Sequence, residues 1–312
     1  MVMFLLCGML RRKVNDLHIG GTTVTGNFPI LVTGATGNTG AALLSRLTEH
    51  NIPCKAGVRK KRDTLHTEQV LLDFQRPETF ASALKDVKGV FLLRPPAISN
   101  VKTTLNVFLD VAAQMDVEHV VFVSVSGAED NKMVPHHGVE QHLIHGPLSY
   151  TILRPGFFVQ NIGDAYRYDI VNDDRIYLPV GDTKGVFIDT RDIAEVAYQI
   201  LLAPELHHRK AYTLTGQTLV SFDDIASMLT ESLGRKITYQ SCSAWHYFWH
   251  LRRKHQLPWM QCFIQTLLHV QFSRGGAAHI DPMLPELLGH TPTTLQSYIA
   301  EHTKLWQRPS PK

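Results

Sequence analysis

The chain has 312 residues, 44% of them hydrophobic, with 31 Lys and Arg against 28 Asp and Glu for a formal net charge of +3. This is enough apolar material for one large α/β domain with a smaller lobe, and the charge is too mild to call for a direct nucleic-acid partner. Cys7, Cys54, Cys242 and Cys262 show neither metal-ligand nor disulfide spacing, which fits a reducing, cytoplasmic setting.

Residues 1–27 come first. Met1–Leu10 is nearly all apolar but precedes Arg11, Arg12 and Lys13, the reverse of the order in a secretory signal, and it is too short to cross a bilayer. We expect a poorly ordered leader here and no membrane association. Ile30-Leu31-Val32 then reads as a buried strand that runs into Thr33-Gly34-Ala35-Thr36-Gly37-Asn38-Thr39-Gly40, three glycines at three-residue spacing. A helix follows over Asn38–Glu49, with Ala41, Leu43, Leu44 and Leu47 at helical apolar spacing. Strand, glycine turn and helix in this order form a dinucleotide-binding pattern. Gly34 permits the tight turn, Gly37 lets a pyrophosphate approach the backbone, and Gly40 lets the helix pack close to the strand. The N–H groups that open the helix face the phosphates.

Cys54–Val58 is predicted as a second strand, Val70–Leu72 as a short third and Gly89–Leu93 as a fourth. A helix is predicted from about Val101 to Met115, His119–Ser124 as a fifth strand apolar on both faces, and Tyr150–Leu153 as a sixth. Apolar strands alternating with helices predict a parallel sheet covered on both faces, a Rossmann-type doubly wound α/β fold. The domain is expected over 28–155, a mixed C-terminal substrate lobe over 156–306 and a tail over 307–312. Val186–Ile188 and Tyr212–Leu214 are short strands predicted to return to the main sheet.

Ligands of such sheets bind at the carboxyl ends of the strands, so the candidate cofactor residues are those that follow each strand. They are Gly34, Thr36, Gly37, Asn38, Thr39 and Gly40 in the turn, then Arg59, Asp73, Phe74, Leu93, Arg94, Pro95, Ser124, Pro155 and Phe157. After the second strand, where a carboxylate holds the ribose hydroxyls of NAD, stands Arg59-Lys60-Lys61-Arg62. Cationic groups there suit the 2′-phosphate of NADP, with NAD as the other candidate, and a solvated basic loop is the plain alternative. Asp73 suits the adenine amino group or serves its own loop.

Farther on, Phe157, Phe158, Tyr166, Tyr168 and the run Trp245-His246-Tyr247-Phe248-Trp249 suggest an aromatic-lined pocket for a small planar ligand. Trp245 and Phe248 are expected to pack the core of the smaller lobe. Histidine pairs such as His207-His208 lack clustered Asp, Glu or Cys, so no metal site is expected, and no helix-turn-helix reader is present.

The chain resembles the NmrA-like group of atypical short-chain dehydrogenase/reductases, which includes quinone oxidoreductases, redox-sensing regulators and festuclavine dehydrogenase-like reductases. Five motifs carry the resemblance: Thr33–Gly40; Phe91-Leu92-Leu93-Arg94-Pro95-Pro96; Ser124-Val125-Ser126-Gly127; Tyr150–Phe158 with Asn161; and Ile188-Asp189-Thr190-Arg191-Asp192-Ile193-Ala194. Leu287–Pro292 looks like the family's C-terminal helix pair. The resemblance implies a fold and an NAD(P) cofactor.

It also implies where catalytic groups belong. Typical enzymes of the wider short-chain dehydrogenase/reductase superfamily use a Tyr and, four residues later, a Lys that lowers the Tyr pKa. Counted back from Glu140, ten residues before Tyr150, the Lys position holds His136 and the Tyr position Lys132. By resemblance His136 lies over the cofactor as a proton source near neutral pH; a structural imidazole in a chain with 17 histidines is the alternative. Two functions stay open ahead of a third, a defective and purely structural cofactor binder. One is NADPH-dependent hydride transfer to a small quinone-like or activated acceptor. The other is a non-catalytic NADP(H)-sensing regulator that acts through a protein partner.

Overall fold

The computed structural model describes residues 29 to 308, so the expected leader at 1–27 and the last four residues of the tail lie outside the described residues. Strands β1 (Ile30–Val32), β2 (Cys54–Val58), β3 (Glu68–Leu71), β4 (Gly89–Leu93), β5 (His119–Val123), β6 (Tyr150–Pro155) and β10 (Lys210–Leu214) make a sheet of order β10-β6-β5-β4-β1-β2-β3. Every pairing in it is parallel. Strand order reverses beside β1, which opens a crevice at the carboxyl edge between β1 and β4.

The two faces of the sheet are sorted by the period-2 alternation of its strands. Ile30 and Val32 of β1, with Val121 and Val123 of β5, face one core, which they share with Leu43 and Leu47 of helix α1 (Asn38–Glu49). Leu31, Val120 and Phe122 face the other, with Phe80 of α2 (Phe80–Leu84) and Phe108 of α3 (Leu105–Gln114). Helix α4 (Pro135–His145) follows β5 and lays Val139 and Leu143 on the second core.

Beyond Pro155 the chain builds a smaller lobe. Strands β7 (Phe157–Phe158), β9 (Gly185–Ile188) and β11 (Leu219–Val220) form one sheet, and β8 (Arg175–Leu178) pairs with β12 (Thr238–Ser241). Helices α5 (Arg167–Asp173), α7 (Phe222–Leu233), α8 (Ala244–Arg253), α9 (Trp259–Gln271) and α11 (Leu295–Glu301) surround a core of Tyr166, Phe187, Phe222, Phe272 and Trp306. Helix α7 has both of its ends fixed locally, by a Ser221/Asp224 capping box and by left-handed Gly234. Helix α6 (Thr190–Leu202) packs instead on α1 and the main sheet, together with α10 (Met283–Leu288).

Several expectations are corrected. The third strand starts two residues early, at Glu68, although the Leu72 N–H still bonds Val58 O at 2.9 Å. The helix expected from Val101 begins at Leu105 because residues 102–104 form a turn. Of the two strands expected to return to the main sheet, Tyr212–Leu214 does so within β10. Val186–Ile188 does not, because β10 takes the free edge of β6 and β9 pairs with β7 and β11. Trp245 is 67% exposed, since α8 turns Tyr247 and Leu251, four residues apart, into the core and leaves Phe248 at its margin. Helix α9 faces solvent with Trp259, Met260, Phe263, Ile264, Leu267 and Leu268. No helix among the described residues is long and apolar enough to cross a membrane.

Candidate active site

Each glycine of the turn has a separate physical task. Gly34 has φ +61, and a Cβ there would meet Leu93 Cδ1 at 2.8 Å. A Cβ on Gly40 would stand 2.3 Å from Gly34 O, so only glycine lets α1 dock this close to β1. A Cβ on Gly37 would touch nothing closer than Gly34 O at 3.4 Å, which leaves its outer side open. The chain bends back through a 2.9 Å bond from Gly37 N–H to Gly34 O, and α1 then starts with no side chain capping it. Its first N–H groups, at Asn38, Thr39 and Gly40, therefore point outward without acceptors, at the positive end of the helix dipole. An open Cβ position beside uncapped donors fits a pyrophosphate.

The neighbouring strands end around this turn. Thr33 Oγ1 accepts from Leu93 N–H at 2.8 Å and ties β1 to β4. Thr36 is exposed, Thr39 is buried, and Asn38 Nδ2 donates to Asp164 Oδ2 of the smaller lobe at 3.0 Å. Arg59, Lys60, Lys61 and Arg62 follow β2, all exposed and without an ion-pair partner among the described residues. Asp73 Oδ1 accepts from Gln75 N–H at 3.0 Å, so half of its carboxylate serves its own turn. Phe74 turns its ring into the core, edge-on to Phe108 at 5.3 Å, so its contribution at the sheet edge is backbone.

Arg94 and His136 meet at the end of β4. Arg94 Nε donates to His136 Nε2 at 3.2 Å, while Nη1 bonds the carbonyls of Pro95 at 3.1 Å and Ile98 at 2.6 Å. No carboxylate pairs with this guanidinium among the described residues, and burial pulls its pKa down. Because Arg94 only donates, His136 must accept at Nε2 and carry its proton on Nδ1. That Nδ1 is buried and has no protein partner. Burial and then the Arg94 charge lower the His136 pKa to about 3. This corrects the expectation of a proton source near neutral pH: the imidazole is neutral there and offers a hydrogen bond.

One turn along α4, Glu140 is fully buried. Its Oε1 accepts from Ser124 Oγ at 2.5 Å and Arg154 Nε at 3.1 Å, and its Oε2 accepts from Arg154 Nη2 at 2.6 Å. The ends of β5 and β6 are thereby clamped to α4, which fixes where His136 stands. Spacing gives no sign of this clamp or of the Arg94–His136 bond, whose partners are 14, 16 and 42 residues apart.

Ser126 N–H bonds Pro155 O at 3.1 Å at the end of β6. Phe157 packs edge-on to Phe272 at 4.9 Å, so its ring belongs to the wall of the smaller lobe. Tyr166, expected to line a pocket, is buried with its hydroxyl 2.8 Å from His269 Nε2. Away from sequence pairs such as His207-His208, the fold brings one acid to two histidines: Asp169 sits between His250 and His255, 81 and 86 residues away in sequence.

The NmrA-like family model matches residues 27–310. The chain is 28% identical over 279 residues to an uncharacterized oxidoreductase of Bacillus subtilis, a match that covers 89% of this chain and 96% of the relative. It is 30% identical over 219 residues to the NAD(P)H azoreductase of Xenophilus azovorans, covering 67% and 76%. Among solved structures, the NADPH-dependent quinone oxidoreductase of Escherichia coli complexed with NADPH shares the fold. Its TM-score is 0.77 at 23% identity over 88% of this chain and 98% of that one.

Proposed function

The chain belongs to the NmrA-like family, and we propose that it is an NADPH-dependent oxidoreductase that reduces a small quinone-like or otherwise activated acceptor without a Tyr–Lys pair. The observation that carries this reading is the buried, unpartnered Nδ1–H of a neutral His136 at the carboxyl edge of the sheet. A donor so placed is costly unless a ligand accepts from it.

NADPH bound at the glycine turn supplies the hydride. The N–H groups of Asn38, Thr39 and Gly40 would hold the pyrophosphate, and the exposed Arg59 would pair with the 2′-phosphate. Asp73 keeps one carboxylate oxygen for the adenine amino group. When the acceptor oxygen becomes negative, the His136 Nδ1–H donates to it, and the Arg94 charge behind Nε2 strengthens that bond. Water supplies the proton that completes the product, so no residue has to ionise. The three described cysteines are free thiols, which favours a reducing, cytoplasmic place of action.

His136→Phe tests the reading. The acceptor-dependent rate should fall by about 10-fold to 100-fold, with NADPH affinity within a few-fold of wild type. The wild-type rate should show no bend from this histidine between pH 5 and 8, because its pKa near 3 lies below that range. An unchanged rate in His136→Phe removes the residue from the chemistry.

A second reading, an NADP(H)-sensing regulator with a protein partner, is favoured by the solvent-facing apolar stripe of α9. It replaces the first if NADPH binds and no acceptor oxidises it.

A further inference from the structure

Helices α5 and α8 meet around one buried carboxylate that the proposed reaction does not use. Asp169, in the first turn of α5, is 4% exposed. The Nε2 of His250, in the last turn of α8, lies 2.9 Å from each of its oxygens. The Nε2 of His255, just past the end of α8, lies 3.1 Å from Oδ2. Both imidazole side chains are nearly buried, at 9% and 11% exposure. We propose that Asp169, His250 and His255 form a binding site for a divalent first-row transition metal, Zn²⁺ in the first instance.

The geometry suits coordination. Ligand atoms held at about 2.1 Å from one ion are roughly 3.0 Å apart at a right angle and about 3.4 Å apart at the tetrahedral angle. The nitrogen–oxygen separations of 2.9 and 3.1 Å fall on either side of the right-angle value, and all three ligand atoms lie within 4.8 Å of one another. One carboxylate needs only one cationic neighbour, yet two buried histidines turn the same nitrogen toward it. A divalent ion accounts for both.

The donor set also defines the metal. Two imidazoles and one carboxylate favour Zn²⁺, Co²⁺ or Ni²⁺ over Mg²⁺ and Ca²⁺, which prefer oxygen ligands. No fourth Asp, Glu, His or Cys joins the cluster among the described residues, so a water completes it. Cys242 is close enough to feel the Asp169 charge, but its sulfur is not among the ligand atoms that cluster there. Aromatic rings flank both histidines: Tyr177 packs edge-on to His250 at 4.8 Å, and Tyr168, itself exposed, lies 5.0 Å from His255. The charged neighbours Arg175 and Lys254 are paired with Asp173 at 3.4 and 3.6 Å and leave Asp169 to the histidines.

The full chain, stripped with a chelator and freed of it, is titrated with Co²⁺ while its visible absorption is read, and then with Zn²⁺ as competitor. The proposal expects one equivalent of Co²⁺ with ligand-field bands, displacement by one equivalent of Zn²⁺, and a melting temperature that rises with Zn²⁺. His255→Gln, at the less buried ligand, should keep the wild-type circular dichroism and bind more than about tenfold more weakly. Asp169→Asn should bind no more tightly than His255→Gln. His208→Gln controls for ordinary surface histidines and should bind as wild type does. Absence of a tight equivalent in wild type overturns the proposal and leaves a histidine–aspartate ion pair. So does a His255→Gln variant that binds Co²⁺ as wild type does. None of these readouts depends on oxidoreductase activity.

Discussion

Three buried histidines govern the response to acid. Burial lowers the pKa of His119 to about 4, of His136 to about 3 and of His269 to about 4. An unfolded chain takes up these protons near pH 6.5, before the folded one does, so stability is fully present above pH 6.5 and falls as the pH drops toward 4. Between pH 6.5 and 5 each histidine accounts for up to about 2 kcal/mol. Denaturant midpoints should therefore be lower at pH 5 than at pH 7, and His136→Phe should flatten the difference; equal wild-type midpoints would contradict the burial. At the cofactor edge, Arg59→Ala should weaken NADPH by about tenfold and leave NADH unchanged, because one charge-assisted contact is worth about 1.5 to 3 kcal/mol. Isothermal titration with both cofactors checks this, and a parallel loss of both would place Arg59 elsewhere. Single residues were legible where local backbone geometry sets their identity, as at Gly34 and Gly40. They were not legible where a partner arrives from another element, as with Arg94 on His136 or Arg154 on Glu140.

The glycine turn and helix α1 act as one element, and two substitutions in it should fail differently. Gly37→Val has room for its Cβ within the protein, so the chain should melt near the wild-type temperature yet bind neither NADPH nor NADH. Gly40→Ala places a methyl 2.3 Å from the Gly34 carbonyl oxygen. It should lower the melting temperature by several degrees, about 1 to 3 kcal/mol of overpacking. Thermal shift with and without cofactor separates the two, and identical behaviour would mean that the turn has no distinct ligand side. The clamp on α4 gives a further test. Glu140→Gln removes the charge of a fully buried carboxylate and leaves the half-buried Arg154 with Glu129, at 3.3 Å, as its acidic partner, at a cost on the order of 3 kcal/mol by chemical denaturation; a loss below about 0.5 kcal/mol would deny the clamp. Strands β2 and β4 and helix α1 follow the sequence reading to the residue, since apolar runs and turns bound them. Strand β9 does not, because edge vacancy decides its sheet and no local pattern records it. Trp245 and Phe248 do lie on one helix, α8, but its buried face is one that only the packing of α8 selects.

At the scale of the whole molecule, the main sheet was legible because repeated strand–helix alternation admits few other folds. The smaller lobe was less so, since its aromatic residues serve the core, as Phe157 and Tyr166 do, or face solvent, as Trp245 does. The two lobes meet at the glycine turn through Asn38 and Asp164, so the proposed cofactor site lies where the smaller lobe joins the main sheet. The most direct test of the account follows the nicotinamide absorbance of NADPH with purified protein and a panel of small quinones, against NADH in parallel. The account predicts acceptor-dependent NADPH oxidation, faster than with NADH. NADPH that binds tightly and stays reduced with every acceptor would contradict it.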